Sequence, residues 1–159
     1  MKRISLPEIL KWLLVILLCV FLVWKNTGET MSTANFSNVA EKVFAAADQS
    51  KMKQGDNLMI RRLYQLDPST FDAITLFYPA TNMGAEEILL VHLKDAKQAD
   101  QVVKRMEARV ESQKTSFQGY GAEQVAMLDQ AVIEAKGGYA LLAVTASSEK
   151  VKKAFEAAL

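Results

Sequence analysis

The chain has 159 residues, half of them apolar and 23% charged, with 19 Lys and Arg set against 18 Asp and Glu, a composition that excludes a disordered chain. The charge is unevenly placed: Lys2, Arg3, Lys11 and Lys25 face only Glu8 in residues 1–25, so the remainder is slightly acidic with mixed signs. Such a domain lacks the basic stripe that nucleic acid phosphates require, which excludes a nucleic-acid partner, and the single cysteine, Cys19, excludes a disulfide framework.

The first element is apolar. The run Trp12-Leu13-Leu14-Val15-Ile16-Leu17-Leu18-Cys19-Val20-Phe21-Leu22-Val23-Trp24 carries no charge, and Ile9 and Leu10 extend it. At about 1.5 Å per residue the stretch spans roughly 24 Å, short of a hydrocarbon core of about 30 Å. Interfacial Trp12 and Trp24 and the long stems of Lys11 and Lys25 make up the difference. Residues 1–25 therefore read as a cytoplasmic tip and a retained transmembrane anchor. The basic residues gather before the run, which keeps the N-terminus in the cytoplasm and the domain outside. A cleaved signal peptide and a lipoprotein signal are the alternatives. The first small-residue site, Ser32-Thr33-Ala34, lies well beyond the apolar run, and Leu18 is bulky where lipidation of Cys19 needs a small neighbour; both features favour the anchor.

Residues 26–35 are polar and patternless, as in a flexible tether, and residues 36–159 form the domain. Phe36 to Asp48 has the spacing of an amphipathic helix, with Val39, Ala40, Val43, Phe44 and Ala47 on one face. Lys51 to Gly55 breaks the pattern. Asp56 caps a second short helix in which Leu58, Met59, Leu63 and Tyr64 face inward. Phe71 to Pro79 reads as a strand with Ile74, Leu76 and Tyr78 on one face. Glu87 to Lys94 is a strand apolar on both faces, hence interior to the sheet. Asp95 and Gln98 make a capping box for the longest helix, whose buried stripe is Ala99, Val102, Val103, Met106 and Val110. Ala122 to Leu128 is a short helix, and the strands Ala131–Lys136 and Tyr139–Ala146 are joined by Gly137-Gly138, a pair suited to a hairpin that needs positive φ. Ser147 or Ser148 caps a last helix that buries Val151, Ala154, Phe155 and Ala158.

Sliding the chain so that Leu89-Leu90 falls on Leu141-Leu142 also places Asp95 on Ser147 and Val102 on Ala154, each half reading strand, turn, strand, cap, helix. The expected architecture is α+β: one N-terminal transmembrane helix plus a two-layer domain, with a roughly four-stranded, mainly antiparallel sheet (ββα-ββα) packed with helices.

Chemistry-bearing patterns are sparse. His92, the single histidine, has no second histidine or cysteine in the domain to share a metal, so it reads as a strand histidine hydrogen-bonded locally or at the sheet margin. Glu107 and Glu111 lie among Lys104, Arg105, Arg109 and Lys114, the pattern of a solvated helix face. Gly119-Tyr120-Gly121 lacks the context of a phosphate loop. No cofactor and no metal are expected. Two polar and aromatic stretches exceed what core building needs: Tyr78 through the loop to Glu87, and Gln113 to Gly121. They supply the candidate partner surface of Tyr78, Asn82, Met83, Glu86, Glu87, Gln113, Phe117 and Tyr120.

The run from Leu63-Tyr64 through Tyr78-Pro79-Ala80-Thr81-Asn82-Met83 and Glu87-Ile88, then Glu111-Ser112-Gln113-Lys114, Phe117 with Gly119-Tyr120, Glu123-Gln124-Val125 and Gly138-Tyr139, resembles a family of small envelope proteins from Gram-positive bacteria, domain of unknown function family 4358. The likeness covers roughly Asn35 to Leu159. It implies a bacterial, extracytoplasmic module carried by a membrane helix or a lipid, and it brings no catalytic residue with it. The expected function is that of a non-enzymatic binding or interaction module tethered to the cytoplasmic membrane, its partner an envelope protein or a cell-wall component. The competing readings are an envelope enzyme with an acid/base site of Glu86, Glu87 and Tyr120, and a structural subunit of an envelope assembly.

Overall fold

The structure, a computed structural model, describes residues 11–12, 14–17 and 31–159. Most of the apolar run expected to form the anchor, and residues 26–30 of the tether, lie outside the described residues. Lys11, Trp12 and residues 14–17 are helical and exposed. Among the described residues, no helix is long and apolar enough to cross a membrane.

Helix α1 (Phe36–Ala45) starts where the Asn35 side chain accepts from Ser37 N, and it buries Val39 and Val43. Strand β1 (Met52–Gly55) follows. Helix α2 (Asn57–Tyr64) is capped by Asp56, which accepts from Met59 N at 2.8 Å. Strands β2 (Ala73–Pro79) and β3 (Glu87–His92) come next, and the Asp95–Gln98 capping box opens a 3-10 turn that runs into helix α3 (Ala99–Phe117). Helix α4 (Ala122–Asp129), strands β4 (Val132–Lys136) and β5 (Tyr139–Val144) and helix α5 (Ser148–Glu156) complete the chain.

The sheet has five strands in the order β1-β2-β3-β5-β4, every pairing antiparallel. The expected sheet had four. The strand left out, β1, is the short segment that reads as a pattern break; its Lys53 and Gln54 are exposed, so only pairing with β2 identifies it. A short charged strand at this edge resists pairing with another chain. β3 is central, as its apolar pattern predicts, and Glu87 to Val91 are all buried. Gly137 and Gly138 turn the β4–β5 hairpin at φ 58° and 78°, values an L side chain adopts at a cost.

The layering differs from expectation. One core lies between the sheet and helices α2, α3 and α4, drawing on Leu76, Leu89, Val91, Leu142, Met106 and Leu128. A second lies on the opposite face, where α1 and α5 cover Ile88, Leu90, Leu141 and Ala143 with Val39, Val43, Val151 and Phe155. The domain thus has three layers, helices on both faces of one sheet. The internal similarity does not produce a structural repeat: Leu89 and Leu141, which it superposes, point to opposite faces, and α3 and α5 follow them to opposite layers. Side chains also depart from their expected roles in two places. Leu58 is 68% exposed while Ile60 is buried in its place. Of the two serines expected to cap α5, Ser147 takes the N-cap position without a side-chain capping bond, while Ser148 lies inside the helix and its Oγ accepts from Thr145 N at 3.0 Å, tying the helix start to the end of β5.

Residues of the stretch expected to be a tether are held at the hairpin end of the sheet. Ser32 N donates to the Gly137 carbonyl at 2.8 Å, Ser32 Oγ to the Leu159 carbonyl at 3.0 Å, and the Tyr139 hydroxyl to the Ala34 carbonyl at 2.7 Å.

Candidate functional site

Glu87 opens β3, and strand alternation puts it on the same face as Leu89 and Val91, towards α3. A fully buried carboxylate requires compensation, and three elements provide it. Arg109 of α3 reaches it with Nη2 at 2.7 Å and Nε at 3.1 and 3.2 Å, a two-pronged ion pair. Gln113, one helical turn further along α3, donates from Nε2 to the same carboxylate, and the hydroxyl of Tyr64, the last residue of α2, donates to its other oxygen. Burial first, and then the charge of Glu87, hold the Tyr64 hydroxyl well above its ordinary value of 10, so it stays a donor. Burial opposes the charge on Arg109, but the hydrogen bonds and charge of Glu87 outweigh it and the guanidinium pKa is raised.

Above this buried network lies an open cleft of about 320 Å³. Arg109 and Gln113 line it from α3 together with Ser116 and Phe117; Tyr78, Pro79 and the loop 80–84 form the facing wall, and Lys53 of β1 and Arg62 of α2 stand at its sides. The loop is held at several points. Ala80 N donates to the Lys51 carbonyl at 2.9 Å, Gly84 N to the Thr81 carbonyl at 3.2 Å, and Gln124 Nε2 of α4 to the Met83 carbonyl at 3.1 Å. A second cleft of about 340 Å³ lies on the far side of the loop, where Met83, Glu86, Glu123 and Gln124 meet.

The expected partner surface therefore divides. Tyr78, Asn82, Gln113, Phe117 and Tyr120 line the first cleft, and Met83 and Glu86 the second. Glu87 is 0% exposed, so it cannot touch a partner as expected; its place at the start of the loop-to-strand transition concealed that its strand phase is inward. Gln113 and Phe117 are largely buried and contribute mainly a floor, while Tyr120, 64% exposed, stands free beside Phe117 with ring centroids 5.8 Å apart. The acid/base trio of Glu86, Glu87 and Tyr120 shares no cleft. Glu86 pairs with Lys51 at 3.4 Å on the other side of the loop, and both oxygens of Glu87 are already occupied.

His92 lies on the central strand and is ring-stacked on Tyr139 at 4.3 Å with Phe36 alongside, where local hydrogen bonding or a place at the sheet margin was expected. Among the described residues no group of three or more His, Cys, Asp or Glu is gathered as a metal site would require.

Sequence reading missed Lys53, Arg62, Tyr64 and Arg109 as site residues. For Arg109 a signal existed. Continuing the buried stripe of α3 beyond Val110 leads to Gln113 and Phe117, so a polar side chain falls on the apolar face. A buried amide one turn from an arginine, opposite an inward strand glutamate, is the pattern of a compensated ion pair.

The profile of a family described as Domain of unknown function (DUF4358) matches residues 45–145. No curated protein and no solved structure matches the chain with significance.

Proposed function

Since the chain belongs to the DUF4358 family of domains of unknown function, we propose that it is a membrane-tethered, extracytoplasmic binding module of the bacterial cell envelope, without catalytic activity, whose ligand or partner sits in the cleft above the Glu87 network. The observation that carries the reading is the convergence of the 80–84 loop with the sequence-distant C-terminal end of α3 and the turn after it on one open cleft with a fixed floor. Held walls and a packed floor reduce the ordering that binding must supply. The side chains offer recognition rather than proton transfer: exposed Asn82 and Tyr120, half-buried Tyr78, and no carboxylate with a free oxygen in the lining. The tether rests on the uncharged run Trp12 to Trp24 and the basic residues before it.

The test has two arms. Full-length protein in an uncharged detergent should retain an envelope component that Asn82→Ala and Tyr120→Ala variants release, with thermal midpoints unchanged because both side chains are exposed. Equal retention by the variants would remove the cleft from the proposal. Protease added to intact cells should cut within residues 36–159; a domain left whole under those conditions would remove the extracytoplasmic placement.

A further inference from the structure

The charges around the cleft are one-sided. Lys53, Arg62 and Arg109 line it and no Asp or Glu does, although the chain as a whole carries nearly as many acids as bases. Arg109 is neutralised from below by Glu87. Lys53 and Arg62 are not: among the described residues neither has an ion pair, and Lys53 Nζ is instead positioned 5.0 Å from the centre of the Tyr78 ring, inside the cleft wall. A domain with no general positive charge that gathers two unmatched cations at one concavity creates a local attraction for an anion.

The cleft also limits the ligand's size and shape. At about 320 Å³ it lies at the small end of ligand sites, too small for a folded partner and suited to one small molecule or a terminal group. Tyr120 offers an exposed aromatic wall above the buried ring of Phe117 in the floor. Gln113, its Nε2 committed to Glu87, is nearly buried and gives the cleft a packed polar floor.

We infer that the cleft binds a small organic anion, a carboxylate or phosphate monoester on an apolar or aromatic group, with Lys53 and Arg62 as the charge-recognising residues. This rests on the binding reading above and deepens it.

The test is calorimetric titration of the full chain in uncharged detergent with N-acetylphenylalanine, its neutral amide, and phenyl phosphate, the last two separating charge from shape and carboxylate from phosphate. Loss of a charge-assisted hydrogen bond corresponds to about tenfold or more in affinity. At least one of the two anions should therefore bind about tenfold more tightly than the amide, and Lys53→Gln and Arg62→Gln should each remove most of that preference without changing the thermal midpoint. The stronger of the two anions identifies the source of the charge. Equal affinity for anion and amide overturns the inference while leaving the binding module standing, and so does an anion preference that survives both substitutions. Failure of all three probes to bind overturns the inference, while the cleft reading is decided by the retention experiment with Asn82→Ala and Tyr120→Ala.

Discussion

Glu87 shows how one buried side chain organises its surroundings. Its carboxylate accepts from Arg109, Gln113 and Tyr64, so substitution leaves three groups short of a partner. Glu87→Gln keeps the shape and removes the charge, stranding a guanidinium whose side chain is only 18% exposed. The expected loss is about 3 kcal/mol by urea unfolding, the low end for breaking a buried pair because Arg109 keeps some solvent. Tyr64 adds a pH signature. Its folded pKa lies above the ordinary value of 10, so the unfolded chain releases this proton first. The stabilisation is whole below pH 10 and falls as pH rises through the folded pKa. Unfolding free energy measured across that alkaline range should decline less steeply in Tyr64→Phe. Tyr139, also raised by burial and then by Asp72, leaves its own contribution in both proteins. Of this network the sequence exposes Glu87 and Gln113 as unusual but not their inward orientation, because strand and helix phase at an element's end depends on where that element begins.

At the level of elements, periodicity reveals what makes its own pattern and hides what depends on a neighbour. The long helix, its capping box, the central strand and the diglycine hairpin are all legible, since each is fixed by local spacing or local backbone geometry. β1 is not, because MKQG acquires its conformation from β2, and the third layer is not, because alternating apolar strand faces do not say which helix covers which face. The family match, residues 45–145, ends short of both helices of that layer, apart from the last residue of α1. A fragment cut to those limits would expose Ile88, Leu90, Leu141 and Ala143 along one sheet face. It should aggregate or lose its cooperative thermal transition, whereas residues 31–159 should melt as one unit; size-exclusion chromatography and calorimetry distinguish them. Within the layer, Phe155→Ala should cost about 3–5 kcal/mol, since that ring is fully buried.

Across the whole molecule the two ends of the sheet have different tasks. At one end Ser32 and Ala34 are bound to Gly137, Leu159 and Tyr139. At the other, Glu87 pairs with Val144 and the cleft opens beside Tyr78. Deleting residues 31–34 should lower the thermal midpoint by removing those bonds and leave probe affinity unchanged, a separation that calorimetry can read in one protein.

The Ser32 clasp also gives the domain a direction. The chain reaches it beside the diglycine turn, about 17 Å of strand from the cleft mouth at 3.3–3.4 Å per residue. Residues 31–34 are thus fastened at the end of the sheet opposite the mouth, as the foot of a cup lies opposite its rim.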